Sequence, residues 1–353
     1  MTKFFLVVLV TGASGYLAIH CIRLLLRKGY RVRGTVRDLK NRLKIQPLEN
    51  LEGSDRLELV YAELQDAQSW IDAVDGCDYI LHMASPCEVV ASSSIIDDAV
   101  QGTLNVLKAA AQCPKVKKVV LTSSCGAVNE GVQEKKRIFD ENDWTNLDCN
   151  KVLPYHRSKT MAEKAAWNFV NKHLHFKLTV LNPGLVVGPL LQNFKGASVI
   201  GYFMDFTMIM YPSLSIAVVD VDDVAEAHLR AMLYPESDGE RILITSCTLS
   251  FKQIAKILRK EFGPKGYFVP KLQVPYILLR VYSIFSAKGR SALQVYGHEE
   301  YFDNSKAKRL LKMNFKDPRQ ALIDMTYDMI ARGMLPRKGE LAQRNAKRSS
   351  RKL

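Results

Sequence analysis

A tyrosine and a lysine lie four residues apart in the segment LPYHRSKTMAEKAAW, residues 153–167, whose apolar residues recur with helical spacing. On a helix, Tyr155 and Lys159 share one face. A phenol beside an ammonium group could be a surface coincidence, or a proton donor whose pKa, normally about 10, is lowered by the neighbouring charge. The other motifs of the chain decide between these interpretations.

A serine at the end of a predicted strand supplies another reactive group. KKVVLTSS, residues 117–124, is a short β-branched run that ends at Ser124, upstream of Tyr155. In an open parallel sheet, ligands bind outside the carboxyl ends of the strands. Ser124 is therefore a candidate catalytic hydroxyl.

A glycine-rich turn follows the first predicted strand. In VTGASGYLA, residues 10–18, Gly12, Gly15 and Ala18 are each three residues apart and lead into an amphipathic helix. Such a turn brings backbone N–H groups close to a pyrophosphate and places it at a helix N-terminus. The strands before the turn and after the helix complete a βαβ unit, which favours a dinucleotide site.

The end of the second predicted strand, GTVRD, indicates which dinucleotide is bound. An NAD enzyme normally has an acidic side chain here for the ribose 2′-hydroxyl. This sequence has Arg37, followed by Lys44, and a guanidinium suits a 2′-phosphate. The prediction is therefore NADPH, although Asp38 would reverse the preference if it held that position.

Seven short apolar runs alternate with helical patterns along the chain. They are FFLVVLV, YRVRGTV, RLELVYAEL, CDYILHMA, KKVVLTSS, KLTVLNP and RILIT. The alternation predicts an α/β fold, a Rossmann-type doubly wound parallel sheet, with a smaller, irregular α/β substrate domain. We expect a dinucleotide-binding domain over 1–183 and a substrate-binding region over 184–336, with some return of the chain to the first domain around 214–247. Residues 337–353 are expected to form a disordered basic tail.

Composition and charge argue against several classes of protein. The chain has 353 residues, 47% of them hydrophobic, and a formal net charge of +14. Seven Lys/Arg against one Glu lie in the tail, 337–353, and the rest of the chain shows no basic-aromatic stripe of the kind that binds nucleic acid. The 7 cysteines include no CxxC pair, which fits a reducing compartment, so a cytoplasmic location is expected.

Neither a metal site nor a transmembrane segment is predicted. Asp222 and Asp223 are interpreted as helix-capping residues rather than metal ligands. The apolar stretches 202–219 and 274–287 are interrupted or too short to span a bilayer, although either could touch a membrane surface. Weak membrane contact through the basic tail stays open, as does the choice between monomer and homodimer.

Together, these motifs resemble the extended short-chain dehydrogenases/reductases, which are NAD-dependent epimerase/dehydratase-like and carry the signatures TGxxGxx(G/A) and YxxxK. More narrowly, the chain is similar to the branch of dihydroflavonol reductases, cinnamoyl-CoA reductases and related ketone/aldehyde reductases. The resemblance runs from residue 9 to about residue 232, and FDNSKAKRLL extends it to about residue 311. The matching segments are VTGASGYLA, GTVRD, LHMASP, VVLTSSCGAVN, YHRSKTMAEKAAW, LNPGLVVGP and VDVDDVAEAHLRAM.

The resemblance implies a role for each reactive group. Ser124 would hydrogen-bond the substrate carbonyl, and Tyr155 would protonate its oxygen as hydride arrives from the nicotinamide. Lys159 would stabilise the phenolate and hold the nicotinamide ribose. His156, next to Tyr155, is expected to point away from the site, by roughly one hundred degrees around the helix.

The resemblance also implies which residues contact the cofactor and the substrate. Besides Tyr155 and Lys159, the cofactor-binding residues would be Gly12, Ser14, Gly15, Tyr16, Leu17, Arg37, Lys44, Glu63, Leu64, Met83, Ala84, Ser85, Pro183, Leu185, Val186 and Ser198. Pro86 and Asn129 would contact the substrate. The apolar stretch 194–215, which includes Phe203 and Met204, is expected to line an apolar pocket.

These observations predict an NADPH-dependent oxidoreductase that reduces the ketone or aldehyde of a medium-sized apolar substrate to the alcohol. Three alternatives stay open. One is oxidation with NAD(P) by a 3β-hydroxysteroid dehydrogenase type of enzyme, and another is sugar-nucleotide epimerisation. The last is a non-catalytic regulator that binds NADPH.

Overall fold

The computed structural model describes residues 6–86, 94–132, 136–171, 175–192, 199–204, 206 and 208–339. The strands, numbered in chain order, are β1 (Val7–Val10), β2 (Arg31–Val36), β3 (Leu57–Tyr61), β4 (Tyr79–His82), β5 (Lys118–Thr122), β6 (Lys136–Phe139), β7 (Lys177–Pro183), β8 (Leu185–Val187), β9 (Ser215–Asp220), β10 (Arg241–Ile244), β11 (Cys247–Ser250) and β12 (Glu299–Phe302). The helices are α1 (Tyr16–Arg27), α2 (Arg42–Glu49), α3 (Ala67–Val74), α4 (Ser94–Gln112), α5 (Pro154–Val170), α6 (Val199–Met204), α7 (Val221–Leu233), α8 (Phe251–Phe262), α9 (Tyr276–Phe285), α10 (Ala287–Gln294), α11 (Ser305–Leu310) and α12 (Pro318–Ala331).

A seven-stranded parallel sheet forms the centre of the fold, in the order β3-β2-β1-β4-β5-β7-β10. Its strands correspond to the seven apolar runs of the sequence, so the predicted Rossmann-type α/β fold is confirmed. The inner strands are mostly apolar because helices cover both faces of the sheet, whereas the neighbouring strands β2 and β3 carry an ion pair between Arg33 and Glu58. Helices α1, α2 and α7 pack on one face, and α3, α4 and α5 pack on the other.

A second hydrophobic core lies beside this sheet. Strands β8 and β9 run parallel in a three-stranded sheet, which β11 completes in the antiparallel direction. Helices α6, α8 and α12 contribute buried side chains to this core. The chain also returns to the first core, because α7 packs on α1 and β10 is an edge strand of the main sheet.

Two side chains of the apolar stretch 194–215 belong to the second core rather than to a pocket wall. Phe203 and Met204 are fully buried, and the ring of Phe203 packs edge-on against Phe251 with 5.3 Å between centroids. The expectation that these two side chains line a substrate pocket is therefore wrong. The reason is that α6 turns them toward the side chains of α8 and α12.

The N-terminal cap of α7 is Asp220, not Asp222 or Asp223. Strand β9 ends at Asp220, whose backbone is extended and whose carboxylate accepts a hydrogen bond from the Asp222 N–H at 2.7 Å. Asp222 instead pairs with side chains of α1, and Asp223 accepts the N–H of Lys316 at 2.7 Å. The prediction that Asp222 and Asp223 cap the helix is thus wrong by two or three residues, because β9 continues directly into α7.

The basic tail begins later than the sequence suggested. Arg337 donates to the carbonyl of Ala331 at 2.6 Å, and the Lys338 N–H donates to the phenol of Tyr267 at 3.2 Å. These residues belong to the folded body, whereas 340–353 lie outside the described residues. In the described part of the chain, no helix has both the length and the apolar character needed to cross a membrane.

Candidate active site

The glycine turn packs closely against the ends of β2 and β4. Gly12 has a positive φ of 65°, and a Cβ on it would lie 3.3 Å from Ala84. The Gly12 N–H donates to the Thr35 hydroxyl at 3.0 Å, which ties the turn to β2. Helix α1 then starts after Gly15 with neither a side-chain cap nor an acidic residue in its first turn. Its N-terminal amides and positive dipole end suit an anionic group such as a pyrophosphate.

The loop 188–192 closes over this turn from the other core. The phenol of Tyr16 donates to the carbonyl of Gly188 at 3.0 Å, and burial raises its pKa, so that it stays protonated. The side-chain amide of Gln192 donates to the carbonyl of Ser14. Leu17 packs against the core beneath the turn. The sequence motifs did not reveal these contacts, because the glycine turn and the loop 188–192 are far apart in the chain.

A free cationic side chain follows β2 where a 2′-phosphate would lie. Arg37 and Lys44 are exposed, and Arg37 forms no ion pair with any residue that the structure describes. The carboxylate of Asp38 accepts the N–H of Lys40 at 2.8 Å and so closes its own turn. Because the Asp38 carboxylate is engaged in its own turn, Arg37 rather than Asp38 is the better candidate for binding the cofactor.

Glu63 and Leu64 form a turn after β3. The Glu63 carboxylate accepts the N–H of Leu64 at 3.3 Å, and the Leu64 carbonyl accepts from the Asn105 side chain at 2.8 Å. The Leu64 side chain lies against Gly102, where an added Cβ would approach it to 2.8 Å. The predicted contact of Glu63 and Leu64 with an adenine stays a prediction.

Thr11 holds the end of β4 against the end of β1. Its hydroxyl oxygen accepts the N–H groups of Met83 at 2.9 Å and Ala84 at 2.8 Å, and it lies 2.9 Å from Nδ1 of His82. Because the oxygen already accepts two hydrogen bonds, its proton goes to His82, whose Nδ1 must be the unprotonated nitrogen. The adjacent residues Ser85 and Pro86 are half-buried at the same edge.

His82 is a buried, neutral imidazole at the end of β4. Burial, and then the positive charge of Lys159, lower its pKa to about 3. Its ring packs edge-on against Trp70 with 6.4 Å between centroids.

Ser124 lies two residues after the end of β5 and precedes a short 3-10 turn, Cys125–Ala127. Its hydroxyl oxygen accepts the N–H of Gly126 at 3.1 Å, which leaves the hydroxyl proton for another acceptor. Its carbonyl accepts from the side-chain amide of Asn182 at 3.1 Å. The neighbouring strands β5, which precedes Ser124, and β7, which contains Asn182, therefore determine the position of Ser124.

Tyr155 and Lys159 lie on the first two turns of α5. The helix starts with Pro154 at its first position, where the missing N–H costs no hydrogen bond. Lys159 is only 8% exposed, and its Nζ lies 5.8 Å from the centroid of the Tyr155 ring. The predicted proximity of the two groups is thus present, and the ammonium is largely removed from bulk water.

His156, which was expected to point away from the site, contacts the loop that carries Ser124. A Cβ on Gly126 would overlap the imidazole of His156, so the ring packs directly on that loop. On its other side, Nδ1 of His156 lies 2.7 Å from the carboxylate of Glu130, which also accepts the N–H of Leu153 at 2.8 Å. His156 is therefore a spacer between α5 and the loop that carries Ser124.

A buried carboxylate behind α5 joins the elements that carry the site. Glu163, one turn after Lys159, accepts from the Ser123 hydroxyl at 2.5 Å and from the Asn182 amide at 2.8 Å. It also forms an ion pair with Arg241 of β10. The i, i+4 spacing of Lys159 and Glu163 was visible in the sequence, but nothing in it identified Arg241 as the partner.

Asn129, expected to contact the substrate, is engaged within the chain. Its side-chain amide donates to the carboxylate of Glu300 in β12, and the Glu300 carbonyl accepts from the Thr248 hydroxyl at 2.9 Å. The Oδ1 atom of Asn129 is buried without a hydrogen-bond donor in the described part of the chain. One N–H of the amide is thus already used, and a substrate contact through Asn129 stays a prediction.

The remaining predicted positions follow β7. Pro183 is buried at the end of that strand, where it pairs with Ile244. Leu185 and Val186 of β8 are half-buried. Ser198 lies outside the described residues, so its predicted contact with the cofactor phosphate stays a prediction.

Known proteins similar to this chain include plant and fungal reductases. A cinnamoyl-CoA reductase of Medicago truncatula is 38% identical over 280 residues, which cover 76% of this chain and 82% of that protein. An anthocyanidin reductase of Vitis vinifera is 32% identical over 334 residues, 86% of this chain and 96% of that protein. The structure of Gre2 from Candida albicans in complex with NADPH has a TM-score of 0.76 at 26% identity, and covers 92% of this chain and 99% of that one.

Residues 8–244 match the NAD dependent epimerase/dehydratase family. The matched range contains the glycine turn, Ser124, Tyr155 and Lys159. The chain therefore belongs to the NAD dependent epimerase/dehydratase family, within its branch of extended short-chain reductases.

Proposed function

We propose that this protein is an NADPH-dependent reductase that converts a ketone or aldehyde into the alcohol. The observation that carries the proposal is the buried Lys159 ammonium beside the Tyr155 ring, at 5.8 Å from its centroid. The Ser124 loop packs on the same turn of α5 through Gly126 and His156. Similarity to an NADPH-bound reductase of known structure supports the choice of cofactor.

The residues present fit the proposed cofactor. The uncapped N-terminus of α1 would receive the pyrophosphate, and Arg37 with Lys44 would receive the 2′-phosphate. Lys159 would hold the nicotinamide ribose, with Pro183, Leu185 and Val186 along the ring. When bound, the reduced nicotinamide supplies the hydride.

The chain's own residues would handle the carbonyl oxygen. Ser124 donates its hydroxyl proton in a hydrogen bond to that oxygen and polarises the carbonyl. Tyr155 transfers its phenolic proton to the same oxygen as negative charge develops there. The positive charge of Lys159 stabilises the resulting phenolate, which then recovers a proton from solvent.

The environment of Lys159 supports this division of labour. A charge that is mostly excluded from water acts on a neighbouring phenol through a low effective dielectric, so its influence on the phenol is stronger than at an exposed surface. His82 is neutral because burial, and then the Lys159 ammonium, lower its pKa to about 3. It therefore does not compete with Tyr155 as a proton donor at neutral pH.

The test is turnover of NADPH and NADH, followed by nicotinamide absorbance, against aromatic aldehydes, diketones, dihydroflavonols and 3-ketosteroids. Tyr155→Phe removes the proton donor and should lower kcat by about a hundredfold or more. The matched control is Tyr61→Phe, on β3, whose side chain is exposed. Binding of NADPH, measured by fluorescence titration, should be retained in both variants.

Two results would contradict the proposal. One is a Tyr155→Phe protein that is as active as the wild type. The other is a wild type that binds NADPH but oxidises none of it with any class of carbonyl, as expected of a non-catalytic cofactor-binding protein.

A further inference from the structure

Helix α9 has its apolar face on the outside of the protein. Its buried residues are Leu279 and Ser283, whereas Ile277, Ile284 and Phe285 are 74%, 68% and 83% exposed. At 100° per residue, the three exposed side chains lie on the side of the helix opposite the buried pair. A surface helix of a water-soluble protein normally has the reverse arrangement, with its apolar stripe toward the core.

The exposed apolar side chains form a surface that extends beyond these three. We call it the α9 surface, and its other members are Leu272, Tyr276, Leu278, Val281 and Tyr282. Large contiguous apolar patches are uncommon on proteins that remain surrounded by water, and they mark places where another apolar phase or molecule binds.

Helices α9 and α10 form a hairpin that stands away from both cores. The helices meet where Gly289 approaches Ser283, since a Cβ on Gly289 would lie 3.0 Å from the Ser283 backbone. The base of the hairpin is held by Val274, whose N–H donates to the Tyr211 carbonyl at 2.8 Å and whose carbonyl accepts from the Tyr296 phenol at 3.1 Å. Among the described elements, α9 packs extensively only on α10.

The hairpin carries positive charge and no negative charge. Between residues 271 and 298 the sequence has Lys271, Arg280, Lys288 and Arg290 but no Asp or Glu. Lys271, Arg280 and Arg290 are exposed. A two-fold contact with a second copy would bring these cations toward one another, whereas anionic headgroups would neutralise them.

We propose that the α9 surface docks onto an anionic lipid bilayer. The aliphatic and aromatic side chains would enter the boundary between headgroups and acyl chains, with Tyr276, Tyr282 and Arg280 at the headgroup level. Attraction between the cations and anionic lipids would add to the binding. A helix of 10 residues is too short to span the bilayer, so α9 would lie in its surface.

The chain that follows the hairpin contacts the loop that carries Ser124. After α10, the carbonyl of His298 accepts the Ser215 N–H at 3.2 Å, and the carboxylate of Glu300 accepts from Asn129, a few residues after Ser124 in the chain. A docked protein would therefore hold this side of the site close to the bilayer. Docking would give the site access to a lipid-soluble carbonyl substrate. This consequence rests on the proposed reductase function, whereas the docking itself does not.

The test is flotation of the full-length protein with vesicles of phosphatidylcholine, with and without one third phosphatidylserine. The wild type should float with the anionic vesicles, and added salt should weaken this binding. The triple variant Ile277→Ser, Ile284→Ser, Phe285→Ser should lower the bound fraction about tenfold or more. Leu43→Ser is the matched control, because Leu43 is 79% exposed on α2, and it should bind like the wild type.

A chain truncated after Gly339 separates the hairpin from the basic tail and should retain the binding that the triple variant loses. Thermal unfolding, and NADPH turnover with a soluble aldehyde in the absence of vesicles, should be unchanged in the triple variant.

The proposal is overturned if the wild type does not float, if the triple variant floats equally well, or if only the truncation abolishes flotation. It is also overturned if the triple variant converts a wild-type dimer into a monomer and vesicles bind neither protein. A wild type that floats with the vesicles but turns over NADPH with no carbonyl would instead count against the reductase function.

Discussion

The carboxylate of Glu163 and the guanidinium of Arg241 form a buried ion pair behind the helix that carries Tyr155 and Lys159. Their side chains are 0% and 7% exposed, respectively. The guanidinium lies over the ring of Trp144, 3.6 Å from its centroid, and also donates to the carbonyl of Ala127 at 3.1 Å. The pair thus joins α5 and β10 to the loop that follows Ser124.

Replacing Glu163 with Gln should destabilise the protein and lower kcat. The substitution keeps the size of the side chain but leaves a buried guanidinium without its counter-charge, which typically costs about 3–5 kcal/mol. We expect denaturant unfolding to report that loss. Because α5 would no longer be held at its distance from the Ser124 loop, kcat should fall by about tenfold or more, while the dissociation constant of NADPH stays unchanged.

The matched control for this prediction is Glu226→Gln. Glu226 pairs with Arg230 on α7, where the two side chains are 30% and 27% exposed, and loss of such a pair should cost less than about 1 kcal/mol. Equal effects of the two substitutions would contradict a special role for the buried pair. So would an unchanged kcat in Glu163→Gln.

Introducing a methyl group at Gly126 should disturb the distance between the serine loop and α5. In Gly126→Ala the new Cβ would overlap the His156 ring and lie 3.0 Å from its Nε2 atom, so either the loop or the ring must move. A displacement of about 1 Å at a catalytic group can lower turnover by about a hundredfold. We expect a clear fall in kcat at a constant concentration of folded protein.

The clash can be relieved in a double variant. Gly126→Ala combined with His156→Ala should be more active than Gly126→Ala alone, since the overlapping ring is absent. Gly263→Ala is the control, because its nearest neighbour is Cγ of Arg259 at 3.5 Å. A double variant no more active than Gly126→Ala would show that steric overlap with His156 is not the cause.

Replacing Arg37 with Gln should weaken the preference for NADPH over NADH. If the guanidinium binds the 2′-phosphate, its loss removes charge-assisted hydrogen bonds worth about 1.5–3 kcal/mol, which corresponds to about ten- to a hundredfold in kcat/KM. The rate with NADH should hardly change. In the control Arg42→Gln, an exposed arginine paired with Glu49 is lost, and both rates should stay as in the wild type. An equal fall with both cofactors in Arg37→Gln would refute the assignment.

His82 should make the folded protein less stable in acid. Burial and the charge of Lys159 lower its pKa from 6.5 to about 3, so between these values the unfolded chain binds a proton that the folded chain does not. The free energy of unfolding must therefore fall as the pH falls, by up to about 1.4 kcal/mol per pH unit. Above pH 6.5 this contribution is constant.

The variant His82→Asn tests this pH dependence. It keeps an acceptor for the Thr11 hydroxyl but does not titrate, so urea unfolding at a series of pH values should show the wild type losing stability relative to the variant below pH 6.5. His228, whose pKa burial lowers to about 4, titrates in both proteins and cancels in the difference. Parallel curves for the two proteins would rule out His82 as the source.

Much of the fold and part of the site could be predicted because their signals are local. Each strand of the main sheet is an apolar run of its own, and the glycine turn is a continuous motif around Gly12 and Gly15. The helical period alone predicts that Tyr155 and Lys159 lie on the same face of the helix. Phe203 and Met204 show the limit of this reasoning. The sequence pattern of an apolar side chain is the same whether the side chain lines a pocket or belongs to a core.

The amino-acid sequence by itself determined the strands, the cofactor turn and the pairing of a phenol with an ammonium group on one helix. Only the tertiary structure decided which distant residues hold them, such as Arg241 behind Glu163, His156 against Gly126 and Glu300 on Asn129. It also decided that α9 presents its apolar face to the outside. The physical reason is that periodicity specifies the faces of an element within a few residues, whereas the partner that covers a face is brought there by the path of the whole chain.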